Sequence, residues 1–151
     1  MDLSLGKKVA LVTGASRGIG KSCALVLARE GCHLAICARG KERLEETAEE
    51  LKAEGIEVLT IRIDITKPKE VDSFVTQAAK KFGRIDILVN NAGTGRLSDL
   101  MELPEEEFRY NMDVMLFGLI RCCKAAVPYM REQKWGRIIN ISSIFGKQPG
   151  G

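Results

Sequence analysis

The chain has 151 residues and a mass of 16.6 kDa, enough for one domain over residues 1–151 and too little to plan on two. It is 45% apolar, 28% charged and only 5% aromatic, and its net charge of +3 is too small to argue for nucleic acid. The apolar run from Val114 to Ile120 is far below the ~20 residues of a membrane helix, and Met1 to Lys8 lacks a basic stretch followed by an apolar one, so neither membrane insertion nor secretion is expected and a cytoplasmic location is.

Five cysteines (Cys23, Cys32, Cys37, Cys122 and Cys123), with no C-x-x-C spacing and His33 as the one histidine, build neither a disulfide framework nor a zinc site. They read as small apolar core residues of a reducing compartment, and no metal is expected. The distribution of charge is more informative than its sum. Residues 1–43 carry eight Lys/Arg against three Asp/Glu, whereas residues 44–151 carry fifteen against seventeen, so the positive charge gathers where the glycines first cluster.

Lys8 to Thr13 is apolar without alternation, the pattern of a strand buried on both faces. A glycine cluster follows, then helical spacing from Ile19 to Glu30 through Ile19, Cys23, Val26 and Leu27, stopped by Gly31. His33 to Ala38 is a second strand. Lys41 to Glu54 is a helix with Leu44, Ala48 and Leu51 inward, and Glu57 to Ile63 is a third strand. Pro68 suits the first turn of a helix that runs to Phe82 with Val71, Phe74, Val75 and Ala78 on one face. Asp86 to Asn90 is a fourth strand, Pro104 to Arg131 one long helix, and Gly136 to Ser143 a fifth strand. Gln148 to Gly151 is turn material. Apolar strands alternating with helices predict an α/β fold with a doubly wound parallel sheet, Rossmann-like, cut short after the fifth strand.

Thr13-Gly14-Ala15-Ser16-Arg17-Gly18-Ile19-Gly20 joins the first strand to the first helix, the turn that faces the ligand crevice of an open α/β sheet. Missing side chains let backbone N–H groups approach an anion, and the helix start adds about half a positive charge. Ala15 to Ser22 also matches a relaxed nucleoside-triphosphatase loop, but that chemistry needs an acid at a strand end to organise Mg²⁺, and the fourth strand ends in Asn90-Asn91. The spacing Gly14-x-x-x-Gly18-x-Gly20 fits a dinucleotide loop better. The end of the second strand decides which dinucleotide: an acid there takes a ribose 2′-hydroxyl, and an Arg accommodates a 2′-phosphate. That position holds Ala38-Arg39, with no acid before Glu42, so Arg39 and Arg17 predict NADP in preference to NAD.

With these motifs in order, the chain resembles the short-chain dehydrogenase/reductase family, nearest its 3-oxoacyl-thioester reductase group. Gly14, Ser16, Arg17, Gly18, Ile19 and Gly20 fall on that family's T-G-x-x-x-G-x-G cofactor loop. The resemblance implies that Asp64 and the adjacent Ile65 receive the adenine, that Asn90 braces the sheet within Asn90-Asn91-Ala92-Gly93, and that Ala92 and Gly93 lie against the cofactor ribose. Ser143 stands at the catalytic serine position, whose hydroxyl holds a substrate carbonyl. The implied reaction is hydride transfer between NADP(H) and a small-molecule alcohol or carbonyl carbon, in an enzyme that is a homo-oligomer at full length.

Two departures qualify the implied activity. The family's acid/base Tyr, with a Lys one helical turn later, follows the serine by about a dozen residues. Within this sequence Tyr110 and Tyr129 are followed four residues on by Val114 and Gln133, so the pair is expected beyond residue 151 and the chain alone is expected to be inactive. Met115 occupies the position of the family's helix Asn, and Asn111, one turn earlier, is a displaced substitute at best. The alternative reading is a catalytically incompetent module that binds a dinucleotide or associates with a protein partner through an uncovered sheet edge.

Overall fold

The computed structural model describes residues 3–94 and 101–143. Gln148 to Gly151, read above as a turn, lie outside the described residues. Five parallel strands, β1 (Val9–Thr13), β2 (His33–Ala38), β3 (Val58–Arg62), β4 (Ile87–Asn90) and β5 (Arg137–Asn140), form one sheet in the order β3-β2-β1-β4-β5. The connections are α1 (Gly18–Arg29), α2 (Lys41–Lys52), α3 (Pro68–Phe82), and α4 (Glu105–Met112) continuing through a π-helical turn (Asp113–Phe117) into α5 (Gly118–Glu132). This is the doubly wound, Rossmann-like arrangement that the alternation of elements predicts. The chain builds outward from β1 to β3, then crosses back to place β4 on the other side of β1. The strand order therefore reverses between β1 and β4, where such sheets open a crevice at their carboxyl ends.

The unbroken apolar character of β1 follows from burial on both faces. Val9 and Leu11 point into a core shared with Val71, Phe74 and Val75 of α3 and Cys122 and Ala126 of α5. Ala10 and Val12 point into the opposite core, with Ala24 and Ala28 of α1 and Leu44, Ala48 and Leu51 of α2. At the amino end of the sheet the buried carboxylate of Asp86 accepts hydrogen bonds from the Val9 amide at 2.9 Å and from Arg84 at 2.6 and 2.7 Å. That charge is paired and hydrogen-bonded, as burial requires.

Two sequence expectations need correction. The inward face of α1 is Gly20, Ala24 and Ala28, whereas Ile19 and Val26 are 61% and 55% exposed. Small residues let α1 lie close against β1 and the loop before it, which turns the larger apolar residues outward and brings Ile19 to the crevice. The stretch from Pro104 to Arg131 is not one regular helix. The Gly118 amide bonds back to the Asp113 carbonyl, opening a π turn around Met115, and the Arg121 guanidinium secures it with bonds to the Asp113 carboxylate at 2.6 Å and to the carbonyl of Ile65 at 3.3 Å. No residue of α4 is buried, while α5 buries Gly118, Cys122, Ala126 and Met130 at four-residue spacing. β5 is the sheet edge among the described residues, and its Ile138 and Ile139 are exposed. No helix among the described residues is long and apolar enough to cross a membrane.

Candidate functional site

The loop between β1 and α1 is held from the end of β4. Thr13 Oγ1, wholly buried, accepts hydrogen bonds from the amides of Asn91 and Ala92, both at 3.0 Å. The Asn91 side-chain nitrogen donates in turn to the carbonyls of Thr13 at 3.0 Å and Gly14 at 3.1 Å. The approach is so close that a Cβ on Gly14 would stand 2.9 Å from the Ala92 Cα, and one on Gly20 would stand 2.3 Å from the Asn91 side-chain nitrogen. Gly20 thus lies beneath the loop and closes the packing of α1, rather than lining the crevice. Gly18 differs. Its φ of +56° disfavours any side chain, yet a Cβ there would meet nothing within 4 Å, because it would project into open space.

Arg17 precedes α1 in an extended conformation, and neither a side-chain cap nor an acidic residue occupies the first turn of the helix. The first amides of α1 therefore keep their donor capacity and the helix keeps its positive end. They face a cleft of about 590 Å³ lined by Gly14, Ser16, Arg17, Gly18 and Ile19 on one side and by Asp64, Ile65, Ala92 and Gly93 on the other. Arg39 and Arg43 line its far end, giving three guanidinium groups with Arg17. Arg43 escaped the sequence reading because the strand-end rule inspects a single position, whereas the first turn of α2 brings a second Arg to the same wall.

The one carboxylate in that lining is Asp64. Burial pushes its pKa up, but bonds to Oδ1 from the Thr66 amide at 3.0 Å and hydroxyl at 2.8 Å, with the charges of Arg39 and Lys67, outweigh burial and hold the carboxyl below its ordinary value. It is ionised at neutral pH, and Oδ2 makes no hydrogen bond among the described residues.

Ile19, Ile65, Asn91, Ala92 and Gly93 also line a second chamber of about 530 Å³, so the two form one continuous groove across the switch point. Asn90, Met115, Asn140 and Ser143 are in the second chamber. Asn90, only 5% exposed, donates to Asn140 Oδ1 at 2.9 Å and to Cys123 Sγ at 3.4 Å, tying β4 to β5 and α5, while its own Oδ1 is buried without a partner among the described residues. Met115 stands on the π turn, where main-chain bonding shifts to the wider spacing. Asn111 lines neither chamber. Tyr129 packs in the α3–α5 core and Tyr110 lines the first chamber, so neither phenol stands with Ser143. The groove can hold an extended ligand with anionic groups in the first chamber and a small polar group beside Ser143 in the second.

Comparison with known proteins places this groove in context. The chain is 44% identical over 140 residues to the 3-oxoacyl-(acyl-carrier-protein) reductase FabG of Staphylococcus aureus, a match covering 92% of this chain and 57% of that protein. L-sorbose reductase from Gluconobacter frateurii, solved with NADPH and L-sorbose, superposes with a TM-score of 0.95 at 39% identity over 99% of this chain and 57% of its own. An NAD⁺-bound xylitol dehydrogenase superposes with a TM-score of 0.93 at 33% identity, covering 97% of this chain and 56% of its own. The chain thus spans a little over half the length of these relatives. The sequence profile of the short chain dehydrogenases matches residues 8–151, and the chain belongs to that family.

Proposed function

We propose that the groove binds NADP(H) in preference to NAD(H), and that the chain is the cofactor-binding portion of a reductase acting on a small-molecule carbonyl or alcohol. The bound nicotinamide would supply or accept the hydride. The observation that carries the preference is the basic lining of the first chamber: Arg39 and Arg43 stand at its far end, Arg17 belongs to the same lining, and no acid stands at the end of β2. Relatives differ in this respect, one being solved with NADPH and another with NAD⁺, so the choice rests on these residues rather than on the family.

The residues present fit the cofactor. The uncapped amides of α1 and the unobstructed side of Gly18 suit the pyrophosphate. The Asp64 carboxylate, with one oxygen saturated and one unused, suits the adenine amino group. Ala92 and Gly93 offer a wall without bulk to the ribose, and Asn90 keeps β4 in register with β5. Ser143 would hold the substrate's carbonyl oxygen. We assign the proton donor, a Tyr with its Lys, to the part of the family's length that follows residue 151. Two observations favour the second reading, a module that binds a dinucleotide without turnover: Met115 stands where the family's pattern has Asn, and no phenol lines the second chamber among the described residues.

The test is Arg39→Asp. Loss of the cation and gain of a ribose acceptor should weaken NADPH about 10- to 100-fold and leave NADH unchanged or tighter. Equal losses for both would remove Arg39 from the 2′-phosphate site.

A further inference from the structure

We propose that Tyr110 is a second ligand of the 2′-phosphate and a determinant of cofactor choice, an inference that rests on the NADP(H) reading above. Tyr110 lies on α4, far in sequence from the strand ends, yet it lines the first chamber beside Arg39 and Arg43. Its phenolic oxygen accepts a hydrogen bond from Arg39 Nη1. A guanidinium has no acceptor, so the phenol cannot return its own proton to Arg39 and keeps it for another group. At the arginine-lined end of this cleft the complementary group is an anion. A phosphate there would receive a charge-assisted bond from the phenol and further bonds from the N–H groups that Arg39 still has to give.

The pair is also preorganised. Arg62 Nε donates to the Arg39 carbonyl at 3.0 Å, fixing the main chain where β2 ends, and the phenol fixes the other end of the side chain. An Arg held at both ends loses less freedom when it meets a phosphate than a mobile one does. A neutral ribose 2′-hydroxyl would gain far less from the same two groups, so the contribution falls on the phosphorylated cofactor.

The experiment is titration of the purified protein with NADPH and with NADH, comparing the unchanged sequence, Tyr110→Phe and Arg39→Asp. Tyr110→Phe keeps the ring and deletes only the hydroxyl. It should raise the Kd for NADPH about 5- to 20-fold and leave that for NADH within about twofold. An unchanged Kd for NADPH overturns the inference, as does an equal loss for both cofactors, which would put the phenol against the shared adenosine. If Arg39→Asp shifts the preference while Tyr110→Phe does nothing, the role of Tyr110 falls and the NADP(H) reading stands. If Arg39→Asp has no selective effect, the NADP(H) reading falls with it.

Discussion

The side-chain amide of Asn91 donates to the carbonyl of Gly14 at 3.1 Å, so the end of β4 sets the shape of the loop that follows β1. The same nitrogen reaches the Thr13 carbonyl at 3.0 Å and fills the space that a side chain on Gly20 would need. The crevice is therefore a property of two strand ends rather than of the glycine loop alone. Asn91→Asp, almost the same shape, would face both carbonyls with an acceptor. It should cost about 3 kcal/mol of stability and weaken NADPH and NADH equally; an unchanged urea midpoint would show that the loop holds its shape without Asn91.

Gly18 and Gly20 are only two residues apart and should respond differently to the same methyl. In Gly20→Ala the Cβ meets Asn91 and the Gly14 carbonyl within 2.5 Å, so stability should fall by about 1–3 kcal/mol. In Gly18→Ala the left-handed backbone costs about 1 kcal/mol, but the methyl enters the space left for the ligand, so binding of both cofactors should fall much further than stability does. Denaturation and cofactor titration on the two variants separate the roles; matching losses in both assays for both variants would contradict the assignment.

The buried thiols give the fold an alkaline limit. Burial first, and the neighbouring Cys123 second, push the Cys122 thiol up to about 12. Burial likewise pushes Cys32 up to about 11 and Cys37 well above its ordinary value. An unfolded chain ionises each near pH 8.5, so the folded state binds more protons above that value. The contribution of Cys122 and Cys32 is complete below about pH 8.5 and declines as pH rises toward their folded values, on the order of 1 kcal/mol each at pH 9.5. Urea midpoints at pH 7.5 and 9.5 should fall accordingly, and Cys122→Ala should show a smaller drop than the unchanged chain. An identical pH dependence would mean that Cys122 ionises as readily folded as unfolded.

Ser143 stands in the second chamber without a phenol lining it among the described residues. The 151-residue chain should therefore bind NADPH and show no turnover with a carbonyl substrate. Steady NADPH oxidation, followed by absorbance, would place a proton donor within these residues.

The fold was legible because burial leaves a one-dimensional trace. Val9 to Val12 are apolar in succession because each face of β1 meets a helix layer, and α2 and α3 show their inward residues at helical spacing. The inward face of α1 was not legible, since Gly20, Ala24 and Ala28 carry less hydrophobic signal than the outward Ile19 and Val26. The groove shows the same division. Gly14, Gly18, Arg39 and Asp64 occupy local motifs that name their roles; Asn91 lies in such a motif without its role being visible there, and Arg43 and Tyr110 meet the crevice only once α2 and α4 converge on it. Met115 was legible as an exception, but the π turn that carries it was not, because Asp113 and Arg121 meet only after the helix has formed.

The central claim is that the basic end of the groove selects a 2′-phosphorylated dinucleotide. Parallel titration of the unchanged protein with NADPH and NADH at one ionic strength tests it most directly. NADPH should bind at least about tenfold more tightly, and the gap should narrow as salt is raised, as expected of a contact between guanidinium groups and a phosphate. Equal affinities at low salt, or tighter binding of NADH, would contradict the account.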